Sequence, residues 1–362
     1  MRIRSAFVGV AAAAMVTSVA CQQEPPPPPP EAPKPVAAKP AEPATPKTHP
    51  ECVGPMTAGA PQALEFAGVK WEYTGAMLTQ KEPAAAAQLV IGAITDIKED
   101  TDENKANLKR FVDWFKQKKA DVLVVAGDTG ETQAQIESAI GVVAEAKLPV
   151  FVIIGNREGR EPYKAALTAL HAKYGNVFDL NAVRRIDTPA ADIVSMPGYY
   201  NPAYIHAKDG CAYSAEDVVE TGKIASAANS PVVLVSHGGP RMDGAEGVDR
   251  TTEGANVGDP ELAKLLAGGK VPFGIFGNIH EAGGRATDAA GKTVLKAGEA
   301  HASLYLNPGP ADAVRWVMND GTSSVGMAAL LTIKDGKGSY EIFRAPDPEA
   351  KVAAGKLKKA KK

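Results

Sequence analysis

Asp96, Asp128, Asn156, His237, Asn278 and His280 share one chemistry, and each closes or closely follows a short apolar run. Carboxylate oxygen, amide oxygen and imidazole nitrogen are donors for a hard or borderline divalent cation. Gathered together, they would hold such an ion where it can polarise water and neutralise charge on an ester. Lys98 and Arg157 sit close behind Asp96 and Asn156 in the chain and would add fixed positive charge attractive to phosphate or another anion. Taken singly, each residue has an ordinary alternative, an aspartate capping a helix or a histidine satisfied by a loop. Their recurrence at the same point of successive elements argues for a shared site.

Those elements alternate between strand and helix. AAQLVIGAITD (86–96) reads as a buried strand ending at Asp96, and ENKANLKRFVDWFKQKK then spaces Leu108, Phe111, Val112 and Phe115 as a helix. ADVLVVAGD ends a second strand at Gly127 and Asp128, TQAQIESAIGVVAEAK is a second helix, and LPVFVIIGN ends a third strand at Gly155 and Asn156. PVVLVSH ends at His237. GDPELAKLLAGG is a helix with Asp259 as its cap and Pro260 in its first turn. It leads into VPFGIFGNIH, whose apolar run breaks at Gly277 and delivers Asn278 and His280. In open α/β sheets, ligands bind at the carboxyl ends of the strands, so these residues are expected to converge.

TDIK (95–98), GDTGE (127–131), GNRE (155–158), SHGG (236–239) and GNIH (277–280), followed by LYLNPG (304–309), resemble in order the motifs of the calcineurin-like metallophosphoesterases. The resemblance spans residues 86–345. It implies a metallo-dependent phosphatase-like α/β fold, a four-layer α/β/β/α sandwich of two mixed sheets flanked by helices. It also implies two divalent ions at the strand ends and a phosphate-containing small molecule as the partner. Carried over residue by residue, Asp96 would hold a first metal and Asp128 would bridge both. Asn156 and His237 would hold the second, and His280 would return to the first.

Three positions depart from the family pattern. Lys98 replaces a histidine ligand, and a protonated ammonium has no lone pair to offer. Arg157 replaces a catalytic histidine, keeping positive charge without a transferable proton. Asn278 replaces a further ligating histidine, exchanging imidazole for an amide oxygen and favouring manganese, magnesium or calcium over zinc. Beside Asp96 and Asp128, the Lys98 charge could stand in for the first cation, so one divalent ion or none is expected rather than two. Glu99 or Asp100 could replace the lost ligand, and Glu131 and Glu158 could add carboxylates.

The ends of the chain have their own character. Residues 1–20 read as a signal peptide: MRIR is basic, and the apolar run from Ala6 to Val19, about 14 residues, is short for a permanent span. Cys21 resembles a lipidated lipobox cysteine, although Ser18 stands in the place of the usual leucine; an ordinary secretory peptide cut near Ala20 is the alternative. Residues 21–55 form the lipidated cysteine and a Pro-rich disordered linker with a reach of up to ~90 Å. Edge strands are expected over 56–85, and a basic disordered tail over 346–362. Together these describe an exported cell-envelope lipoprotein, attached to a membrane through its lipid, at the outer membrane or the periplasmic face. Cys52 and Cys211, an even pair in an exported chain, suggest a disulfide, with two separate thiols as the alternative.

The 362 residues are 44% hydrophobic and 23% charged, enough for a sizeable core. A net charge of −2 and 6% aromatic content offer no basic or stacking surface, so no nucleic-acid role is expected. The glycine-rich stretch 238–258 reads as a functional or mobile loop, with Arg241 reaching either a phosphate or solvent. The tyrosine-rich stretch 196–213 reads as a substrate rim or a surface flap. Three functions follow. The first is an envelope-anchored metallophosphoesterase with a partly degenerate metal site. The second is a weak or inactive relative that binds an anionic ligand, and the third is a structural lipoprotein.

Overall fold

The computed structural model describes residues 52–81 and 88–347. The expected signal peptide, Cys21, the Pro-rich segment and residues 348–362 of the tail lie outside the described residues. In chain order, β1 (Ala58–Phe66), β2 (Val69–Gly75) and β3 (Met77–Gln80) precede an alternation of β4 (Gln88–Ile94), α1 (Asp102–Gln117), β5 (Val122–Ala126), α2 (Gln133–Ala144), β6 (Val150–Ile153), α3 (Arg160–Tyr174) and β7 (Val177–Asp179). Then come β8 (Arg185–Asp187), β9 (Asp192–Met196), α4 (Ala215–Ser226), β10 (Val232–Ser236), α5 (Pro260–Ala267), β11 (Phe273–Ile275), β12 (Arg285–Thr287) and β13 (Leu304–Asn307). The short pair β14 (Trp316–Val317) and β15 (Ser323–Ser324) and the hairpin β16 (Met327–Lys334) and β17 (Lys337–Arg344) close the fold. No helix among the described residues is long and apolar enough to cross a membrane.

Side-chain alternation along the strands builds the layers. Leu89, Ile91 and Ala93 of β4 face a core shared with Val233 and Val235 of β10 and Phe273 and Ile275 of β11. Val90 and Ile94 of the same strand face the other way, against Leu108 and Phe111 of α1 and Ile136 and Ile140 of α2. A strand buried on both faces must be apolar throughout, which is why β4, β5 and β6 read as continuous runs. Val194, Val232 and Leu234 pack against Val218 of α4 and Leu262 of α5 on the far side. The result is helix, sheet, sheet, helix. The six-stranded sheet runs β17-β16-β4-β5-β6-β7, and the nine-stranded sheet runs β1-β2-β3-β8-β9-β10-β11-β13-β12. Both are mixed. β4 to β7 are parallel while β16 and β17 are antiparallel, and β9, β10, β11 and β13 are parallel while β8 and β12 are antiparallel.

Local signals set the boundaries. Thr101 accepts the Asn104 N–H at 3.2 Å to start α1, and Thr132 and Gln135 cap α2 reciprocally. Asp259 caps α5 with Pro260 in its first turn. Asp335 and Gly336 both take positive φ (51° and 71°), the two-residue turn that matches the twist of a hairpin. Cys52 is joined to Cys211, and both are fully buried.

Asp179, at the end of β7, gives a pH-dependent test of this packing. Its Oδ1 accepts the Asn181 N–H at 2.8 Å and lies 3.1 Å from the Tyr163 hydroxyl, which also faces the Val152 carbonyl at 2.8 Å. Tyr163 has a single hydroxyl hydrogen, so the two oxygens compete for it. Burial, the largest influence, pushes the Asp179 carboxyl up to about 6. A raised folded-state pKa means stability that is present below pH 4 and is lost as pH rises through about 6, worth about 3 kcal/mol. We expect the stability of Asp179→Asn relative to wild type to rise by that amount between pH 4 and pH 7.5 in urea unfolding. A difference that stays flat across this range would mean that Asp179 titrates normally.

Candidate metal centre

The carboxyl ends of β4, β5, β6, β10 and β11 open on one side of the paired sheets, and the loops leaving them carry the candidate residues. Four of these residues adopt the left-handed backbone region: Asp96 (φ 54°), Lys98 (63°), Asp128 (55°) and Asn278 (65°). Such conformations cost about 1–3 kcal/mol each and cluster where a function requires them. The chain turns abruptly off each strand so that the next side chain points back into the sheet ends. The neighbouring glycines make room. A Cβ on Gly127 would lie 2.6 Å from His237 Nδ1, and one on Gly155 would lie 2.3 Å from Asp128 Oδ1. Gly-Asp and Gly-Asn recur in the motifs because the His237 and Asp128 side chains occupy that space.

His237 defines the centre. Fully buried, it faces the Ala126 carbonyl through Nδ1 at 2.8 Å, which places the hydrogen on Nδ1 and turns Nε2 inward. Nε2 lies 3.0 Å from Asn156 Oδ1 and 3.2 Å from Asp128 Oδ1. The Asn156 amide nitrogen donates to the Tyr204 carbonyl at 2.8 Å, so its oxygen is the atom presented. Three acceptor atoms therefore face one another, which is repulsive unless a proton or a cation sits among them. Burial alone would lower the pKa of His237, but the Asp128 carboxylate, its hydrogen bond and Asp96 raise it to about 10. Ligand atoms of Asp96, Asp128 and His237 lie within 4.8 Å of one another. This donor set fits a divalent ion.

Asp128 is held by its surroundings: Oδ1 accepts the backbone N–H groups of Asn156 (3.1 Å) and Arg157 (3.0 Å). Behind it, the fully buried Glu158 ties two motifs together. Glu158 Oε1 accepts both the backbone N–H and the hydroxyl of Thr129, and Oε2 accepts the Gly155 N–H at 2.9 Å. Burial and then the Asp128 charge push the Glu158 carboxyl up to about 7. Glu158 is a strut of the loops.

Asp96 is engaged on every side. Oδ2 accepts the Thr95 hydroxyl (2.8 Å) and the Asn278 N–H (3.1 Å), and Oδ1 meets His280 Nε2 at 3.2 Å. Burial alone would raise the pKa of its carboxyl, but His280, then His237 and Lys98, hold it well below the usual carboxylate range. Asn278 turns its side-chain amide toward the Tyr199 hydroxyl at 2.9 Å. Lys98 ion-pairs with Asp312 at 2.8 Å and lies 4.2 Å from the centre of the Trp316 ring, against which His280 also packs at 4.2 Å. Its charge thus reaches Asp96 from a distance and is neutralised directly by Asp312. Arg157 pairs with Glu131 at 2.5 Å at the mouth of the site. A cavity of about 270 Å³ runs between Lys98, Arg157, Asp312 and Thr101.

The strand ends thus gather Asp96, Asp128, Asn156, His237, Asn278 and His280, with Lys98 and Arg157 at their margin. Sequence reasoning passed over Tyr199, Asp312 and Trp316. Tyr199 follows β9, a strand that ends at Met196 where the segment read as rim or flap begins, so the strand-end rule applied there would have found it. Tyr204 of that segment is exposed, whereas Tyr199 is buried. The 238–258 loop is pinned by the buried Asp249, which accepts the Met242 and Gly258 N–H groups at 3.1 and 2.9 Å, and Arg241 faces solvent.

A family model for calcineurin-like phosphoesterases matches residues 89–282, more than half of the chain. The chain belongs to the calcineurin-like phosphoesterase family. Phosphoesterases of this family depend on divalent metals and act on phosphate-containing substrates, in keeping with the donor set at Asp96, Asp128 and His237. No curated protein matches the sequence significantly. One solved structure superposes with a TM-score of 0.51 at 14% identity, covering 71% of this chain and 99% of that one, a likeness of fold. A dimetal phosphatase from Danio rerio aligns at TM-score 0.46 and 13% identity, over 71% of this chain and 99% of that one. The phosphopantetheinyl hydrolase from Mycobacterium tuberculosis aligns at TM-score 0.43 and 17% identity, over 62% and 91%.

Proposed function

We propose that this calcineurin-like phosphoesterase hydrolyses a phosphate ester outside the cytoplasm with a single divalent ion held by Asp128, Asn156 and His237. The observation that carries this reading is the inward convergence of His237 Nε2, Asn156 Oδ1 and Asp128 Oδ1 at 3.0 and 3.2 Å. When bound there, the ion supplies Lewis-acid charge that offsets the charge on the phosphoryl oxygens. Amide and carboxylate oxygens with one imidazole suit manganese, magnesium or calcium better than zinc. Asp128 orients through two backbone amides, and Arg157 at the mouth attracts the phosphate without moving a proton.

The family's other metal position does not fit an ion in this chain. Lys98 offers no lone pair, and Asn278 turns its side-chain amide nitrogen to the Tyr199 hydroxyl. The Lys98–Asp312 ion pair and the His280 imidazole facing Asp96 occupy that position instead. The basic, apolar and cysteine-bearing start of the sequence supports export and lipid anchoring, and the buried Cys52–Cys211 bridge suits an oxidising compartment. The same self-satisfied charge pairs favour a second reading, a protein that binds a phosphate-like anion with little or no turnover.

Elemental analysis after manganese loading, alongside hydrolysis of aryl phosphate mono- and diesters, tests these readings. We expect one manganese per chain, measurable hydrolysis, and a rise toward two ions in Lys98→His, since histidine tolerates the positive φ and returns an imidazole. Two ions in the wild type would overturn the single-ion reading. One ion with no hydrolysis of either ester would favour the anion-binding one.

A further inference from the structure

Tyr199 is a buried titratable group beside the centre with no part in the reading above. It is 4% exposed and follows β9, the strand next to β10 and its His237. Its backbone is clamped on both sides, the N–H donating to the Cys211 carbonyl at 2.9 Å and the carbonyl accepting the Tyr213 N–H at 3.2 Å. The ring lies over Gly238, where a Cβ would meet Tyr199 Cε2 at 2.8 Å, and 6.2 Å from the His237 ring. A side chain this confined holds its hydroxyl at a fixed point.

That hydroxyl is half used. Its oxygen accepts the Asn278 side-chain amide at 2.9 Å, while no acceptor for its hydrogen is found among the described residues. The neighbouring tyrosines differ: the Tyr200 hydroxyl donates to the Val257 carbonyl and the Tyr213 hydroxyl to Asp259 Oδ2, each at 2.8 Å. A buried hydroxyl without an acceptor costs stability, and such groups are rare without a reason. A phenol is neutral near pH 7 and keeps its hydrogen.

We propose that the Tyr199 hydroxyl, fixed by Asn278, donates its hydrogen bond to a non-bridging oxygen of the phosphoryl group, forming a tetrahedral-oxyanion subsite beside Asp128, Asn156 and His237. This rests on the phosphoester reading and names a further residue that touches the substrate. The subsite lies where the family pattern has the histidine replaced by Asn278. A neutral donor binds the anion there without adding another charge to balance.

Titration calorimetry of the full, manganese-loaded chain with inorganic phosphate and with orthovanadate tests the subsite. Tyr199→Phe keeps the ring and removes the donor, so phosphate and vanadate should bind roughly 10- to 100-fold more weakly while the manganese stoichiometry is unchanged. Tyr200→Phe, whose hydroxyl points to Val257, should bind both anions as the wild type does. Equal anion affinity in Tyr199→Phe, loss of the ion in that variant, or no anion binding by the wild type would each overturn the subsite. Weaker anion binding in Tyr199→Phe without ester hydrolysis by the wild type keeps the subsite and removes the hydrolase. Hydrolysis with unchanged anion affinity in Tyr199→Phe does the reverse.

Discussion

Asp128→Asn should lose the bound divalent ion and lower ester hydrolysis by on the order of 10²- to 10³-fold while the fold survives. Asparagine tolerates the positive φ at this position (55°), and its carbonyl oxygen can still accept the Asn156 and Arg157 N–H groups. What it removes is the negative charge facing His237 Nε2 at 3.2 Å. The amide therefore separates electrostatics from structure better than Asp128→Ala, which would place a residue with no local hydrogen-bonding capacity in the left-handed region at a cost of about 1–2 kcal/mol. Elemental analysis, initial rates and a melting curve read the three effects apart. An Asp128→Asn variant that keeps its ion and its rate would place the metal elsewhere. A melting temperature that collapses with the rate would make Asp128 a structural group first.

Replacing both bridged cysteines by alanine should cost about 3–5 kcal/mol of unfolding free energy, because the bridge closes a span of 159 residues in the unfolded chain. For a folded unit of this size that is a fall in melting temperature of roughly 10 °C. The effect should extend to the site. Cys211 presents the carbonyl that receives the Tyr199 N–H, and Gly198, just before Tyr199, packs against Cys211. Freed from Cys52, the Cys211 segment should hold Tyr199 less firmly, and phosphate affinity should fall along with stability. Urea unfolding of the double variant and phosphate titration measure the two consequences. An unfolding midpoint equal to that of the oxidised wild type would show that packing around Cys52 alone secures the amino-terminal segment.

The candidate ligands were legible because each lies at a punctuation mark in the sequence. Gly127-Asp128 and Gly155-Asn156 end apolar runs that have no option but to be buried strands, and the glycines leave the space that His237 Nδ1 and Asp128 Oδ1 fill. Lys98 illustrates the limit of such reading. Its place beside Asp96 was visible, and with it the idea that its charge replaces an ion. Its partner Asp312 is more than two hundred residues away and belongs to the loop after β13, so no local pattern links them. Trp316, against which both Lys98 and His280 pack, is equally remote. Glu158, read as a spare carboxylate, instead receives Thr129 and Gly155, because in a buried loop the backbone donors need an acceptor more than an ion does.

By itself, the sequence determined the alternation of buried strands and amphipathic helices, the order of the strand-end motifs, and the three positions, Lys98, Arg157 and Asn278, that differ from the motifs they resemble. These follow from hydrophobic periodicity and from side-chain chemistry, both written locally. Only the tertiary structure decided which charges cancel. Asp312 meets Lys98, Glu131 meets Arg157, and the Tyr199 hydroxyl meets Asn278, with its hydrogen left without an acceptor. Pairing of that kind depends on distances of a few ångströms between strand ends, within one sheet for Glu131–Arg157 and Tyr199–Asn278 and across the two sheets for Lys98–Asp312. Those distances are set by how the sheets pack, which no stretch of sequence carries alone.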